Sequence, residues 1–149
     1  MTSGLHRLLG CLLAIALAAG LHAAAASGLV VSDAWIRWLP ADLPAAGYLT
    51  IVNTGTVERV LVAVTSPAYG EVGIHRSVDD QGMHSMRPVD SITLKPRVPF
   101  RFAEGGYHLM LMHARTAIHP GERVVMTFHF GDGDAVEAVF AVRGSAAAQ

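Results

Sequence analysis

The sequence predicts an all-β protein, a sandwich or barrel of about eight or nine strands. Three observations carry that expectation. Short runs rich in Val, Ile, Phe, Tyr and Thr follow one another at close spacing. Between them lie turn signals, among them Asn53-Thr54-Gly55, Pro120-Gly121-Glu122 and Gly131-Asp132-Gly133-Asp134. No stretch of the 149 residues sustains a long helical period after the first apolar run.

The N-terminus reads as a targeting segment and not as part of the fold. Arg7 precedes the apolar run 8–19, and the chain then enters Ala23-Ala24-Ala25-Ala26-Ser27, the small-residue region where a secretory signal peptide is cleaved. The run is too short to span a bilayer. Leu8-Leu9-Gly10-Cys11 resembles a lipoprotein cleavage site, but the apolar segment continues well past Cys11. Residues 1–26 are therefore expected to be the signal peptide, and 27–149 a single β-domain of about 120 residues, enough for a modest core. Cys11 is the only cysteine and would leave with the leader, so the exported domain has neither thiol nor disulfide.

The strands are expected at 29–37, 47–53, 59–65, 72–78, 83–89, 92–95, 100–103, 107–112, 123–130 and 135–142. The last two show the period of two most plainly. Val124, Met126, Phe128 and Phe130 alternate with Val125, Thr127 and His129, while Val136, Ala138, Phe140 and Val142 share one face of the next strand. Met126 is thereby a core residue. The segment Trp38-Leu39-Pro40-Ala41-Asp42-Leu43-Pro44 is a loop in which Trp38 caps the core. Acidic and basic residues nearly balance, 12 against 11, with no basic block for nucleic acid and no amphipathic or polybasic segment for a membrane surface.

Four residues stand out: His75, Met86 after ten intervening residues, His108 after twenty-one more, and Met110 two further on. Two imidazoles and two thioethers form a soft, mixed donor set that suits monovalent copper better than zinc, calcium or magnesium. Gly105-Gly106-Tyr107-His108-Leu109-Met110-Leu111-Met112 alternates as a strand, so His108, Met110 and Met112 share a face and Leu109 and Leu111 turn to the core. Asp79-Asp80-Gln81-Gly82 is a turn between two runs, its acids serving turn chemistry. A symmetric four-residue loop there places His75 directly opposite Met86 and His84 opposite Ser77. One hairpin and one other strand then deliver all four donors to one point. His84 is an auxiliary candidate for divalent copper, which prefers nitrogen and oxygen donors. Met112 reads as core or rim packing, Met83 is left unassigned, and His113, His119 and His129 read as surface residues.

These residues resemble the periplasmic copper chaperones called PCu(A)C, which are similar to cupredoxins in fold. The histidine, methionine, histidine-x-methionine motif is matched by His75, Met86, His108 and Met110. The likeness extends through Asp33-Ala34-Trp35-Ile36-Arg37, 46–53, 82–87 and 105–111. It implies a cupredoxin-like Greek-key β-domain that binds Cu(I) in the periplasm and delivers it toward the copper A centre of cytochrome c oxidase. Its partner would be a copper-receiving oxidase subunit or another copper chaperone, and the protein a monomer. Two departures stand beside this: Gly73 occupies a position that is often acidic in the family, and Arg76 directly follows His75. The sequence runs out through Arg143-Gly144-Ser145-Ala146-Ala147-Ala148-Gln149, so a second copper site on a histidine- and methionine-rich tail is not expected. A copper buffer serving resistance is the alternative function. Electron transfer of the blue-copper kind needs a cysteine thiolate that the mature chain lacks. No serine or cysteine nucleophile has a recognisable base, and the protein is expected not to be an enzyme.

Overall fold

The computed structural model describes residues 28–40 and 43–144. The expected signal peptide, residues 1–26, lies outside the described residues, as do the cysteine and the alanine-rich C-terminus. The ten strands are β1 (Leu29–Trp38), β2 (Ala45–Asn53), β3 (Arg59–Thr65), β4 (Tyr69–Asp80), β5 (Met83–Pro88), β6 (Ile92–Leu94), β7 (Pro99–Phe102), β8 (Tyr107–Ala114), β9 (Arg123–Phe130) and β10 (Ala135–Gly144). Each of the ten runs expected from the sequence is a strand, so the count is ten and not eight or nine. The shortest, β6 and β7, are held by pairing with the longer β3 and β2.

The strands hydrogen-bond in the order β5-β4-β8-β2-β1-β10-β9-β3-β6, with β7 joined to β2. The path has two ends, β5 and β6, so the sheet coils around its core without closing into a barrel. β1 runs parallel to β10, whereas the other named pairs are antiparallel. Alternation builds the interior directly. On β9, Val124, Met126, Phe128 and Phe130 are buried, and on β10 Val136, Phe140 and Val142 meet them. Ile36, Leu49, Ile51, Leu61, Ile74, Leu109 and Leu111 complete the same cluster. Met126 is fully buried, as expected.

Trp38 is not in a loop. It is the last residue of β1, pairs with Gly144 and packs partly buried against the core, so its capping role stands while its place changes. Strand pairing with β10 extends β1 beyond what the following prolines suggested.

One buried polar residue ties the connection after β2 to the core. Asn53, 1 % exposed, donates from Nδ2 to the carbonyls of Val57 and Leu94 and accepts from the Gly55 N–H. Asn53→Ala would leave those groups without partners, at about 1–3 kcal/mol for each one kept from water. The expected loss is about 2–3 kcal/mol in total, read as a lowered midpoint in urea unfolding with an unchanged slope.

Candidate metal centre

The three strands that carry the four predicted ligands are neighbours, in the order β5-β4-β8. On β4 and β8, His75 is paired with His108 and Gly73 with Met110. The intervening Ile74 and Leu109 are also paired, and both are buried. Alternation therefore turns His75, His108 and Met110 to the outer face by the same rule that turns the leucines inward. The two imidazole rings lie 6.1 Å apart between centroids, tilted by 41°.

Met86 joins this face from β5, but not in the expected register. The turn between β4 and β5 consists of two residues, Gln81 and Gly82, both with positive φ (55° and 85°), the pattern of a primed hairpin turn. Asp79 and Asp80 belong to the strand, and Asp79 Oδ1 accepts the Gly82 N–H at 2.9 Å. Met86 is consequently opposite Ser77, His75 is opposite Pro88, and His84 is opposite Asp79. The shift is two residues, so every side chain keeps its face. Met86 stands diagonally from His75, a separation of about 7–8 Å between backbones that long side chains bridge.

Burial grades across the site. His108 is 6 % exposed, while Met86, on a strand exposed along its whole length, is 56 % exposed. The Gly106 carbonyl organises the buried end: it accepts the Ser77 N–H at 3.1 Å and faces His108 Nδ1 at 3.1 Å. A neutral His108 thus keeps its proton on Nδ1 and presents the Nε2 lone pair, the arrangement by which a backbone carbonyl orients a metal-binding imidazole. His75 Nδ1 is buried with no hydrogen-bond partner, a costly state for a ring nitrogen unless something else takes up its bonding capacity.

The surrounding charges favour a cation. Glu71 is on the same face of β4, and its carboxylate opposes the lowering of the His75 pKa. Glu71, Gly73, His75 and Asp90 line a shallow open groove beside β3. Arg76 faces the other side of the strand, with its guanidinium 5.2 Å from the Tyr107 ring centroid. Its charge is directed away from the donors.

The remaining candidates are peripheral. His84 is open to solvent, with Nδ1 3.7 Å from Asp79 Oδ2. Met112 is half-buried opposite Glu71. Met83 is 73 % exposed and does not pack. His113 and His119 are exposed, and His129 bonds Thr65 Oγ1 at 2.8 Å. Among the described residues no three His, Cys, Asp or Glu side chains converge as a metal site.

A family model described as "Putative lipoprotein LpqE-like" matches residues 29–142. The chain belongs to the LpqE-like family. One relative is "Putative lipoprotein Lxx21020" of Leifsonia xyli subsp. xyli, 28% identical over 127 residues, covering 85% of this chain and 76% of the relative. Among solved structures, the copper-bound PCuAC domain from PmoF2 superposes with a TM-score of 0.65 at 24% identity, over 78% of this chain and 93% of that one. The solution structure of CuI-DR1885 from Deinococcus radiodurans does so with a TM-score of 0.60 at 24% identity, over 74% of each chain. This LpqE-like chain therefore has the PCuAC fold, and the resemblance read from its sequence is borne out, including the cupredoxin-like, all-β architecture.

Burial lowers the His75 pKa below its ordinary 6.5, and the neighbouring His108 lowers it further, against a smaller upward pull from Glu71. The unfolded chain therefore takes up a proton at His75 before the folded one does, so the group's share of stability is present above about pH 6.5 and is lost as pH falls through the folded value. In metal-free protein, an NMR titration should place the His75 midpoint below about 6.5, and Glu71→Gln should lower it again. A His75 midpoint raised above that value would contradict the described environment.

Proposed function

We propose that this protein is an exported copper chaperone that binds one Cu(I) ion through His75, Met86, His108 and Met110. The observation that carries the reading is the pairing of His75 with His108 on β4 and β8, with Met110 beside them on the same face. Two neutral nitrogens and two thioethers match the softness of monovalent copper, and neither requires a free thiol outside the cytoplasm. The solved PCuAC domains that share the fold include one described as copper-bound and one as CuI-bound, which supports the choice of metal.

The gradient of exposure supports delivery over storage. A copper ion anchored by the buried His108 is held firmly, while the exposed Met86 is the donor that an incoming ligand of a recipient displaces first. The resemblance to PCu(A)C proteins makes the copper A centre of cytochrome c oxidase the destination, reached through an oxidase subunit or a second chaperone. Divalent copper, if carried, draws on His84 as an added nitrogen donor. The domain acts in the periplasm after removal of residues 1–26. Among the described residues no helix is long and apolar enough to cross a membrane.

Anaerobic titration with Cu(I) against a chromophoric chelator tests the site. Wild type should take one tight equivalent, and the fourfold variant His75→Ala, Met86→Ala, His108→Ala, Met110→Ala none. Of the single changes, His108→Ala should cost most and Met86→Ala least in affinity, while Met86→Ala should release copper faster. Equal weak binding by wild type and the fourfold variant would reduce the motif to packing.

Processing is tested by the mass of the exported protein. Cleavage near Ala25 or Ala26 leaves an unmodified mature chain, whereas a lipid-modified N-terminus at Cys11 would overturn the assignment of residues 1–26.

A further inference from the structure

We infer that the outward face of β1 and β10, beside the proposed donors, is the docking surface for an acidic segment of the protein that receives the copper. The inference rests on the copper-delivery reading and names the chemistry of its partner. The strand registers place this face next to the site. Met110 on β8 is paired with Ala46 on β2, Ala46 with Arg37 on β1, and Arg37 with Arg143 on β10. Two strand spacings of about 4.8 Å therefore separate the backbones of Met110 and Arg37.

Alternation turns Ile36 and Val142 into the core and Trp35, Arg37 and Arg143 outward. Two arginines thus stand side by side on neighbouring strands, an arrangement of like charges that disfavours the pairing. Glu104 answers one of them, its Oε1 lying 2.8 Å from Arg37 Nη1. Arg143 is exposed, with its guanidinium 5.2 Å from the Trp35 ring centroid, and among the described residues it has no ion pair. Beneath the guanidiniums is an aromatic floor. The rings of Trp35 and Tyr48 are 4.8 Å apart, Tyr48 is buried although it lies outside the core cluster, and the Arg37 guanidinium is 5.7 Å from its centroid. Arginines already stacked in this way lose less freedom when a partner binds them. Arg101 and Arg123, each preceding a buried residue on its own strand, add exposed positive charge on the outward side.

The surface that fits is one carrying carboxylates. A planar guanidinium offers a carboxylate two parallel hydrogen bonds, and the unanswered charge of Arg143 beside Arg37 supplies the attraction. An anionic membrane fits less well, because Trp35 is half-buried and Tyr48 buried, so neither ring projects as an interfacial anchor. On the other flank of the donors, the exposed Glu71 carboxylate on β4 repels an acidic segment, which orients the approach. Met86 is on β5, four strands from Arg37 in the order β5-β4-β8-β2-β1. A standard interface of about 800 Å² per partner is about 30 Å across, enough to cover both. The arginines come from β1, β7, β9 and β10, which is why no basic block marks them in the sequence.

The test uses two synthetic acceptor peptides with the same methionine-rich copper-binding segment, one extended by a run of glutamates and the other by a run of lysines. Stopped-flow transfer from the Cu(I)-loaded protein at low salt should be about 10-fold faster to the glutamate peptide. The advantage should vanish at high salt and in Arg143→Glu. Lys95→Glu makes the same change of charge near the far end of β2, next to the bridge between Asn53 and Pro96, and should keep the advantage. In metal-free wild type, the glutamate peptide should shift the NMR resonance of the Trp35 indole N–H, a readout that needs no variant to fold. Equal loss in Arg143→Glu and Lys95→Glu would reduce the effect to net charge, and an unmoved Trp35 resonance would place the contact elsewhere; either result overturns the inference. Binding to anionic phosphatidylglycerol vesicles without a response to the glutamate peptide would overturn it in favour of a membrane surface. A wild type that takes up no copper, yet shifts Trp35 with the glutamate peptide, would instead overturn the proposed function and leave an acid-binding face.

Discussion

The antiparallel pairing of β4 with β8 is the constraint on which the molecule's chemistry depends. It sets His75 against His108 and Gly73 against Met110, and it is held in register by what lies behind it. Ile74, Leu109 and Leu111 are buried in the common core. A slip of one residue would turn these into solvent and carry the imidazoles into the apolar interior. The energy of that mismatch, several buried aliphatic side chains at about 1.5–3 kcal/mol each, far exceeds what the polar face could recover. The core thus specifies the face that carries the proposed metal ligands without contributing a donor to it.

The two sides of that face differ in firmness. Toward β8, the donors rise from a strand with neighbours on both edges, and the doubly used Gly106 carbonyl fixes one imidazole. Toward β5, the sheet ends, and a strand exposed along its length carries Met86. Backbone groups on an unpaired edge open more easily than those inside a sheet. A site built across this boundary combines an anchored half with a yielding half, which is the combination that holding and handing over an ion requires.

Much of this was readable from the chain because strand alternation is a local property. The burial of Met126, Phe128 and Phe130, and the shared face of His108 and Met110, follow from a period of two and need no tertiary information. The β4–β5 register was misjudged for an identifiable reason. Asp79 and Asp80 are common turn residues, but here Asp79 caps the Gly82 N–H from within the strand, and Gln81 with Gly82 makes the turn. Because the error was two residues, the donors stayed on one face. Glu71 and the Gly106 carbonyl escaped notice because their places at the site depend on which strand lies alongside β4. That partner is separated from it by β5, β6 and β7, beyond the reach of a local pattern.

X-ray absorption at the copper edge of the Cu(I)-loaded protein most directly tests the claim that this paired face is a mixed nitrogen and sulfur site. The account predicts two nitrogen and two sulfur scatterers around one copper in wild type, and one sulfur fewer in Met86→Leu. A shell of nitrogen and oxygen alone, or one unaltered by that substitution, would contradict it.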